Sequence, residues 1–462
     1  MMAKEDTRNE RQRVIVLGSG FAGVEVLKGL EKKFHGDDHI DITMISKDNF
    51  LLFTPMLPEV CSGMIDPREI TTPVRGFIKD ATFCQADVES IDLRNKQVEI
   101  SHQIGKSFEN TGVKKHTLGY DYLVIALGNE VNFFGQEEVK QHAFTMIDVD
   151  DAIKLRNHVI NMLEQAALEQ NDAALRKKLL TFIVVGGGFN GIETVGELND
   201  FIRETAEKYY RKDISEEEIR VVLIHASDKI LEQIDEGLGK YALESLKRRG
   251  VEFILNRKVT KATKDSATLD NNDVIPSFTL VWSAGVTPGK LIADLECSHD
   301  KKHRLQADKY LQLQDYPGTV YVAGDCASIP RPDSDKPYPP TAQHALREAR
   351  TLVKNLICDI ERKPGYKKEI DYKTRGMMAE IGRRNGVALL FGSKTHGIVA
   401  WWLWRTFYLS QLPTLKKKLK VLSDWTMDFF YRPDVSMIKG LQDPKTEKAI
   451  QNMHDKGISE AA

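Results

Sequence analysis

The stretch LLTFIVVGGGFNGIETVGEL, residues 179–198, decides the fold class of this chain. It starts with an apolar run that predicts a buried strand, passes through Gly186, Gly188 and Gly191, and ends in a helical pattern. In such a turn the first glycine permits a tight bend, the second lets the backbone approach a pyrophosphate, and the third lets the helix pack on the strand. The stretch therefore predicts a dinucleotide-binding βαβ unit, with phosphate held at the start of the helix.

A second turn of this kind lies near the start of the chain, in RVIVLGSGFAGVEVL, residues 13–27, with glycines at Gly18, Gly20 and Gly23. Each copy follows an apolar strand and opens a helix, which is the context that this motif needs. The pair predicts an α/β fold with two Rossmann-like dinucleotide-binding domains. Two sites indicate a flavin that stays bound and a nicotinamide that exchanges, with a hydride passing between them. For either copy alone, a glycine-containing turn without a ligand is the alternative.

Neither copy has the acidic residue that usually binds the adenosine ribose about 20 residues beyond the turn. The first copy has Ser46 at the predicted strand end, and the second has His225. Ser46 can still hydrogen-bond a ribose. Without a carboxylate at position 225, repulsion of a 2′-phosphate is lost, so NADPH is possible, although no arginine directly follows and we expect NADH.

Composition excludes several classes of protein. The formal net charge of −2 argues against nucleic acid as a partner. The five cysteines are odd in number and show neither a disulfide framework nor a CxxC pattern, so we expect no metal site. The charged N-terminus has no apolar stretch of the kind found in a secretory signal, and no run of about 18 uncharged apolar residues predicts a membrane-spanning helix.

Near the end of the chain the composition becomes rich in tryptophan and lysine, in AWWLWRTFYLSQLPTLKKKLKVLSDWTMDFFYRP, residues 400–433. Its first part is apolar nearly all round, apart from Arg405. After Pro413 an apolar stripe recurs at helical spacing, formed by Leu415, Leu419, Leu422, Trp425 and Phe429. Tryptophans and lysines beside an apolar face are typical of a helix at a bilayer surface. The alternative is a face that packs in the core or forms a dimer, and a dimer would present two anchors.

These segments resemble the type II, non-proton-pumping NADH:quinone oxidoreductases, within the two-dinucleotide-binding-domain flavoproteins. The resemblance covers roughly residues 12–435, and its more specific parts are FTPMLPEV, TAQHA and the aromatic tail. It further rests on VIVLGSGFAG, YDYLVIALG, VVGGGFNGIETVGEL, VWSAGV and VYVAGDCA. It implies a peripheral membrane enzyme that passes two electrons from NADH through FAD to a membrane quinone without pumping protons, at the cytoplasmic or matrix face of the respiratory membrane.

The resemblance also implies where the domains and the FAD site lie. An FAD-binding domain of residues 12–150 and 305–362 would hold the NAD(P)H-binding domain, residues 178–304, as an insertion. A membrane-association or dimerisation region would span residues 365–440. The implied FAD site consists of Gly18, Gly20, Phe21, Ala22, Gly23, Ser46, Pro55, Val88, Ala126, Gly128, Gly324, Asp325 and Ala342.

For the nicotinamide nucleotide, the implied site consists of Gly186, Gly188, Phe189, Asn190, Gly191, Glu193, His225 and Gly285. Glu193 is expected to contact the nicotinamide and to act in catalysis, and Glu197 one turn later is a weaker candidate. A first-turn acid is also favoured by the helix dipole alone, which is the alternative for Glu193.

The quinone site implied by the resemblance is formed by Ala342, Gln343 and Ala345, where the alanines make room and the catalytic amide of Gln343 donates. Free amides at the start of this helix would stabilise the negative charge of reduced flavin. The alternative is an ordinary buried helix. Asp325 is expected to bind the ribityl chain, or otherwise to cap the following helix.

Two other functions stay open on the sequence. A sulfide:quinone oxidoreductase shares the fold and uses a cysteine pair, for which Cys297 and Cys326 are the candidates, although they do not stand in an arrangement typical of that class. A nicotinamide-sensing flavoprotein with little turnover is the second.

Overall fold

The computed structural model describes residues 11–105, 112–374, 376–431 and 434–437. It is an α/β chain, as predicted, and it divides into two compact units. Of the described residues, the first unit contains those in 11–52, 71–130 and 286–374. The second unit contains those in 53–70, 131–285 and 376–437. The predicted region 365–440 includes residues 375, 432, 433 and 438–440, which lie outside the described residues.

The strands of the described residues follow one another along the whole chain. In the first part they are β1 Gln12–Leu17, β2 Ile40–Ser46, β3 Phe50–Leu52, β4 Thr71–Pro73, β5 Thr82–Gln85, β6 Asp87–Asp92, β7 Gln97–Gln103, β8 Val113–Gly119, β9 Tyr122–Ile125, β10 Glu130–Val131, β11 Thr181–Val185 and β12 Arg220–His225. In the second part they are β13 Val251–Leu255, β14 Val259–Thr263, β15 Ser266–Leu269, β16 Val274–Pro276, β17 Thr279–Trp282, β18 Val286–Thr287, β19 Leu305–Gln306, β20 Val320–Val322, β21 Ala327–Ser328, β22 Gly376–Glu380, β23 Gly386–Leu390 and β24 Ser393–Gly397.

The helices follow in the same way. The α-helices are α1 Phe21–Phe34, α2 Leu57–Cys61, α3 Glu137–His142, α4 Val149–Leu168, α5 Ala173–Leu179, α6 Phe189–Tyr209, α7 Glu236–Arg248, α8 Lys290–Ala293, α9 Ala342–Ile360, α10 Ile398–Gln411 and α11 Leu415–Asp428. Short 3₁₀ helices lie at Thr54–Met56, Pro67–Glu69, Val74–Gly76, Glu216–Glu218 and Pro364–Tyr366.

The first unit is built on a five-stranded parallel sheet in the order β20-β9-β1-β2-β5. The central strand β1 is buried from Val14 to Leu17, as expected for a parallel strand covered on both faces. Helices α1 and α9 pack against each other, because Gly29 of α1 lets Val353 approach closely. The strands β6, β7 and β8 form a separate antiparallel sheet.

The second unit repeats this plan with a four-stranded parallel sheet in the order β13-β12-β11-β17. All five residues of β11 are buried, and α6 contacts both β11 and β12. The strands β14, β15 and β16 form an antiparallel sheet, and β22, β23 and β24 form another near the end of the chain. Helix α10 packs on this last sheet.

The sequence pattern around residues 148–178 predicts a single long helix, and this expectation was wrong. Helix α4 ends at Leu168 and α5 begins at Ala173. Asp172 explains the new start, because its side chain accepts the backbone N–H of Leu175 as a helix cap. The two predicted C-terminal helices are present, and Thr414 caps the second after Pro413.

In the described part of the chain, every helix is either too short or too polar to cross a bilayer.

Candidate functional site

The first glycine turn joins β1 to α1 and has glycine where a side chain would not fit. Gly18 has a φ of +97°, and a Cβ there would collide with the carbonyl oxygen of Ala126. A Cβ on Gly23 would collide with the carbonyl oxygen of Gly18. At Gly20, by contrast, a Cβ would meet no atom within 4 Å. The turn therefore has open space in front of its second glycine, where a pyrophosphate needs room.

The second glycine turn joins β11 to α6 and has the same geometry. Gly186 has a φ of +119°, and a Cβ there would collide with the carbonyl oxygen of Ser283. A Cβ on Gly191 would collide with the carbonyl oxygen of Gly186, whereas one on Gly188 would meet nothing within 4 Å. Each unit thus has one turn that fits a pyrophosphate.

The helices that follow these turns begin in the way that an anion site requires. Gly20 and Gly188 are the N-cap residues of α1 and α6, and neither helix start has a side-chain cap or an acid in its first turn. First-turn amides and the helix dipole attract phosphate at such a start. The backbone of both turns therefore fits a dinucleotide.

The predicted residues of the FAD site differ in burial and in the unit to which they belong. Ser46 is buried at the end of β2, where its hydroxyl oxygen lies 2.9 Å from that of Ser19. Gly128 follows β9 with a φ of +71° and open space where a side chain would stand. Val88 is half-buried in β6. Pro55 belongs to the second unit, in the 3₁₀ helix Thr54–Met56.

Gly324 and Asp325 follow β20, beside a buried acid that sequence reasoning missed. Gly324 has a φ of +77°, and its backbone N–H donates to Glu348 Oε2 at 2.8 Å. Burial raises the pKa of Glu348 to about 8, although the Gly324 N–H opposes this. Burial also raises the pKa of Asp325, against the attraction of Arg304. The methyl group of Ala22 lies 3.4 Å from where a Cβ on Gly324 would stand.

The predicted quinone residues lie in the first turn of α9. Ala342 and Gln343 are half-buried, and Gln343 Oε1 accepts a hydrogen bond from the Tyr372 hydroxyl at 3.1 Å. Ala345 is buried beside Gly324, so of the two alanines Ala342 is the more accessible.

His344, in the same turn, is held between two threonines. Its Nδ1 lies 2.7 Å from Thr341 Oγ1, and its Nε2 lies 3.1 Å from Thr374 Oγ1. Burial lowers the pKa of His344 to about 4, so the ring is neutral and serves to fix the start of the helix.

Around the second turn, Asn190 is tied to the preceding chain, because its Nδ2 donates to the Met146 carbonyl at 3.2 Å. Phe189 is half-buried at the first position of α6. Gly285 accepts a hydrogen bond from the Asn132 N–H at 3.0 Å. His225 Nδ1 accepts the N–H of Gly187, the middle residue of the glycine run, at 3.0 Å.

Four carboxyl groups of the second unit lie close together around one arginine. Arg405 of α10 lies 3.1 Å from Glu59 Oε1 and 4.0 Å from Glu380 Oε1. Glu193 Oε1 accepts the backbone N–H of Glu380 at 3.2 Å, and Glu197 is buried one turn further along α6. We call Glu59, Glu193, Glu197, Glu380 and Arg405 the acid cluster.

Three tryptophans from the C-terminal helices bind the acid cluster through their indole N–H groups. Each donates to a different glutamate: Trp401 to Glu380 at 2.6 Å, Trp404 to Glu193 at 3.3 Å and Trp425 to Glu59 at 2.9 Å. The Arg405 guanidinium lies 4.1 Å from the ring centroid of Trp401 and 4.5 Å from that of Trp425. Cation–π contacts therefore add to its ion pairs.

Burial keeps protons on this cluster. It raises the pKa of Glu193 to about 8, opposed by the Glu380 N–H and the Trp404 indole, and raises that of Glu59 to about 8, opposed by Arg405. The pKa of Glu197 rises to about 7 and that of Glu380 well above its usual range for the same reason. Four carboxylates beside one cation in an apolar environment cannot all ionise near pH 7.

Comparison with known proteins assigns a family to these features. Residues 12–349 match the family described as pyridine nucleotide-disulphide oxidoreductase, and residues 374–434 match the NDH2 C-terminal domain. A probable NADH dehydrogenase of Dictyostelium discoideum is 32% identical, over 92% of this chain and 91% of its own length. The type II NADH:quinone oxidoreductase Ndh of Mycobacterium tuberculosis is 30% identical, over 91% and 88%. The chain belongs to the type II NADH:quinone oxidoreductase family.

The fold agrees with that of a solved structure. The structure of NDH2 from Plasmodium falciparum in complex with NADH superposes with a TM-score of 0.83, at 22% identity, and covers 92% of this chain and all of the other.

In this member of the type II NADH:quinone oxidoreductase family, the C-terminal tryptophans differ in exposure, since Trp401, Trp404 and Trp425 are buried and Trp402 is exposed. Trp425 was expected on the same face as Leu415, Leu419 and Leu422, yet it is buried while the three leucines are exposed. Lys420 of α11 forms an ion pair, since its Nζ lies 2.7 Å from Glu69 Oε1. Exposed apolar side chains on these helices and directly after α11 include Ile398, Val399, Trp402, Phe407, Met427, Phe430 and Tyr431.

Sequence reasoning missed Glu59, Glu380 and the buried pairing of Arg405 as parts of a site. One signal was present, because Arg405 interrupts an otherwise apolar helix and a buried arginine needs carboxylate partners. All five cysteines are free thiols. Because the matched relatives are NADH enzymes, the sulfide:quinone alternative is not favoured.

Proposed function

We propose that this chain oxidises NADH and reduces a membrane quinone, with FAD held by the first glycine turn and NADH by the second. The observation that carries the proposal is the presence of two pyrophosphate-fitting turns of the same geometry on two parallel sheets of one chain. One turn alone would fit a simple dehydrogenase or a flavoprotein. A pair supports a resident cofactor and an exchanging substrate.

For the flavin, the proposed binding residues are those predicted from the sequence, namely Gly18, Gly20, Phe21, Ala22, Gly23, Ser46, Pro55, Val88, Ala126, Gly128, Gly324, Asp325 and Ala342. Bound FAD would supply the two-electron chemistry that links a hydride donor to a quinone. In the first unit, the open space at Gly20 and Gly128 supports this assignment.

For the nicotinamide nucleotide, the proposed residues are Gly186, Gly188, Phe189, Asn190, Gly191, Glu193, His225 and Gly285. Reduction of a quinone by NADH consumes one proton besides the hydride, so the reaction needs a group that supplies protons. Glu193 is the proposed proton-handling residue, since its carboxyl accepts two N–H hydrogen bonds and burial raises its pKa to about 8. A general acid is most effective with a pKa near the working pH.

For the quinone, the proposed residues are Ala342, Gln343 and Ala345. The Tyr372 hydroxyl, which donates to Gln343 Oε1, orients the side-chain amide and leaves its NH₂ end directed away from the tyrosine. An amide donor suits a quinone carbonyl, because negative charge develops on that oxygen during reduction.

Quinone is dissolved in lipid, so the enzyme must reach a membrane, and we propose that α10 and α11 lie on its surface on the side that NADH occupies. Supporting this, α10 exposes Trp402 and Phe407 and α11 exposes Leu419 and Met427, while the other tryptophans of the two helices are buried. Amphipathic helices of this kind bind in the interface plane.

Flotation with anionic vesicles tests the proposal: Leu415→Glu with Leu419→Glu should abolish binding, whereas Leu168→Glu, an exposed leucine on α4, should not. Loss of a dimer without loss of flotation would assign the face to a second copy instead.

The proposed activity is tested by mixing the purified protein anaerobically with NADH and a short-chain quinone. Quinol and NAD⁺ should form in equal amounts, with no turnover when either substrate is omitted. A bound flavin that NADH leaves oxidised, or quinol formation without NADH, would contradict the proposal. Slow flavin reduction without quinol formation would favour the nicotinamide-sensing alternative.

A further inference from the structure

The strand-end position of the second unit has no acid to bind a ribose. β12 pairs with β11 so that Ile224 lies opposite Val185, and His225 stands at the level of the glycine turn. In dinucleotide-binding units, the residue at this place is the acid that accepts hydrogen bonds from the adenosine ribose. A neutral imidazole supplies no negative charge.

The imidazole of His225 is instead directed towards another acid. Because Nδ1 accepts the Gly187 N–H, the proton of the neutral ring is on Nε2. Nε2 lies 3.8 Å from Oε1 of Glu232, seven residues further along the chain. Burial lowers the pKa of His225, although Glu232 opposes this, so the neutral ring is favoured.

The backbone fixes Glu232 at this place. The N–H of the preceding Leu231 donates to the Gly187 carbonyl at 2.7 Å, and Leu231 has a φ of +51°, unusual for a residue with a side chain. Ile230 and Leu231 are both buried. The N–H of Gly187 therefore binds His225, and its carbonyl binds Leu231, the residue before Glu232.

The carboxylate of Glu232 remains accessible to a ligand, with 57% of its side chain exposed. Two cations lie near His225: Lys229 in the same loop, and Arg257, whose backbone N–H donates to the His225 carbonyl at 3.1 Å. Both stand beside other acids, since Lys229 Nζ lies 3.5 Å from Glu236 and Arg257 Nε lies 3.9 Å from Asp270. The rim of the turn beside His225 thus presents a carboxylate. A carboxylate accepts two ribose hydroxyls and repels a 2′-phosphate.

We propose that Glu232 takes the place of the missing strand-end acid, binds the adenosine ribose and makes the chain prefer NADH over NADPH. His225 acts as a positioning residue for the glycine turn, because its Nδ1 accepts the Gly187 N–H. The proposal rests on the proposed function, since it names the residue that recognises the nucleotide of the second turn.

The test compares Glu232→Gln, of equal size, with Asp228→Asn, an exposed acid of the same loop. For each protein, kcat and KM are measured with NADH and with NADPH, and the binding of NAD⁺ and NADP⁺ is measured by calorimetry. Glu232→Gln should lower kcat/KM for NADH about tenfold through KM, with kcat within about twofold, and should raise kcat/KM for NADPH. Asp228→Asn should change either value by less than about twofold.

An unchanged preference in Glu232→Gln, or a larger change in Asp228→Asn, would overturn the proposal. The flavin content of each variant confirms that the fold is intact. If NADH fails to reduce the flavin of the unaltered protein but NAD⁺ still binds, the proposed function fails, and the binding of NAD⁺ and NADP⁺ to the variants still decides the role of Glu232.

Discussion

The two glycine turns have the same backbone geometry, yet the helices that follow them place a glutamate at the equivalent position in different surroundings. Glu25 follows Gly23 by two positions, as Glu193 follows Gly191. Glu25 Oε1 lies 2.6 Å from Arg350 Nε, an exposed cation. Glu193 instead accepts hydrogen bonds from the Trp404 indole and from the Glu380 backbone N–H, and burial raises its pKa to about 8.

This difference separates what a motif determines from what packing determines. In both units the glycines fix the turn, because a Cβ at the first or third position would collide with a carbonyl oxygen. The chemistry of the following glutamate depends on the elements that cover the helix. The α1 helix meets α9, whereas α6 meets β22 and the tryptophans of α10. The motif thus determines the turn, and the C-terminal elements that cover α6 determine the protonation of Glu193.

The largest effect is expected from placing a methyl group on the third glycine of each turn. Gly23→Ala should yield protein without flavin, because the methyl group collides with the Gly18 carbonyl and displaces the phosphate site. Gly191→Ala should retain flavin and lose at least about 100-fold in kcat/KM for NADH. Visible absorbance of the purified variants and steady-state kinetics check both results. A loss of flavin in Gly191→Ala, with flavin retained in Gly23→Ala, would reverse the assignment of the two turns.

The next effect contrasts the two equivalent glutamates directly. Glu193→Gln should lower quinone turnover at least about tenfold, because an amide cannot donate the carboxyl proton. Turnover of the unaltered enzyme should fall as pH rises through about 8, where Glu193 loses its proton, and this limb should be absent in the variant. The measurement is kcat from pH 6 to 10 with saturating substrates.

Glu25→Gln is the matched control for that experiment, since it makes the same chemical change at the equivalent position of the first unit. Its kcat should stay within about twofold of the unaltered enzyme with the same pH profile. Equal losses in the two variants would show that the carboxyl group of Glu193 has no special role.

Both turns, their strands and the three helices α9, α10 and α11 were predictable because glycine spacing and apolar periodicity are local properties of the sequence. The acid cluster was not, because it joins residues that are distant in sequence, such as Glu59 and Glu380. Periodicity also places side chains on a common face without indicating which face is covered. The tryptophans of residues 400–433 therefore suggested a bilayer surface, although the N–H groups of Trp401, Trp404 and Trp425 bind buried glutamates.

The smallest effect concerns stability and tests the cost of burying acids behind the second turn. The position equivalent to Glu197 in α1 is Gly29, which carries no charge. Since the folded-state pKa of Glu197 is raised to about 7, the folded chain binds more protons than the unfolded chain between about pH 4.5 and 7. The free energy of unfolding therefore falls across this range. Glu197→Gln removes that fall. The free energy of unfolding of the variant minus that of the unaltered protein should therefore be about 2 kcal/mol larger at pH 8 than at pH 5.

Thermal or denaturant unfolding at the two pH values measures this change, and Glu207→Gln, an acid on the exposed side of α6, is the control. The difference in free energy of unfolding between Glu207→Gln and the unaltered protein should be the same at both pH values. If the stability of Glu197→Gln relative to the unaltered protein does not increase from pH 5 to pH 8, Glu197 is already ionised in the folded protein at pH 5, against the account.

The central claim, that two similar turns hold two different nucleotides, is tested most directly by counting them. The purified protein should contain one FAD per chain, and an anaerobic titration should bleach that flavin with one equivalent of NADH. Two flavins per chain, or one flavin that NADH does not reduce, would contradict the account.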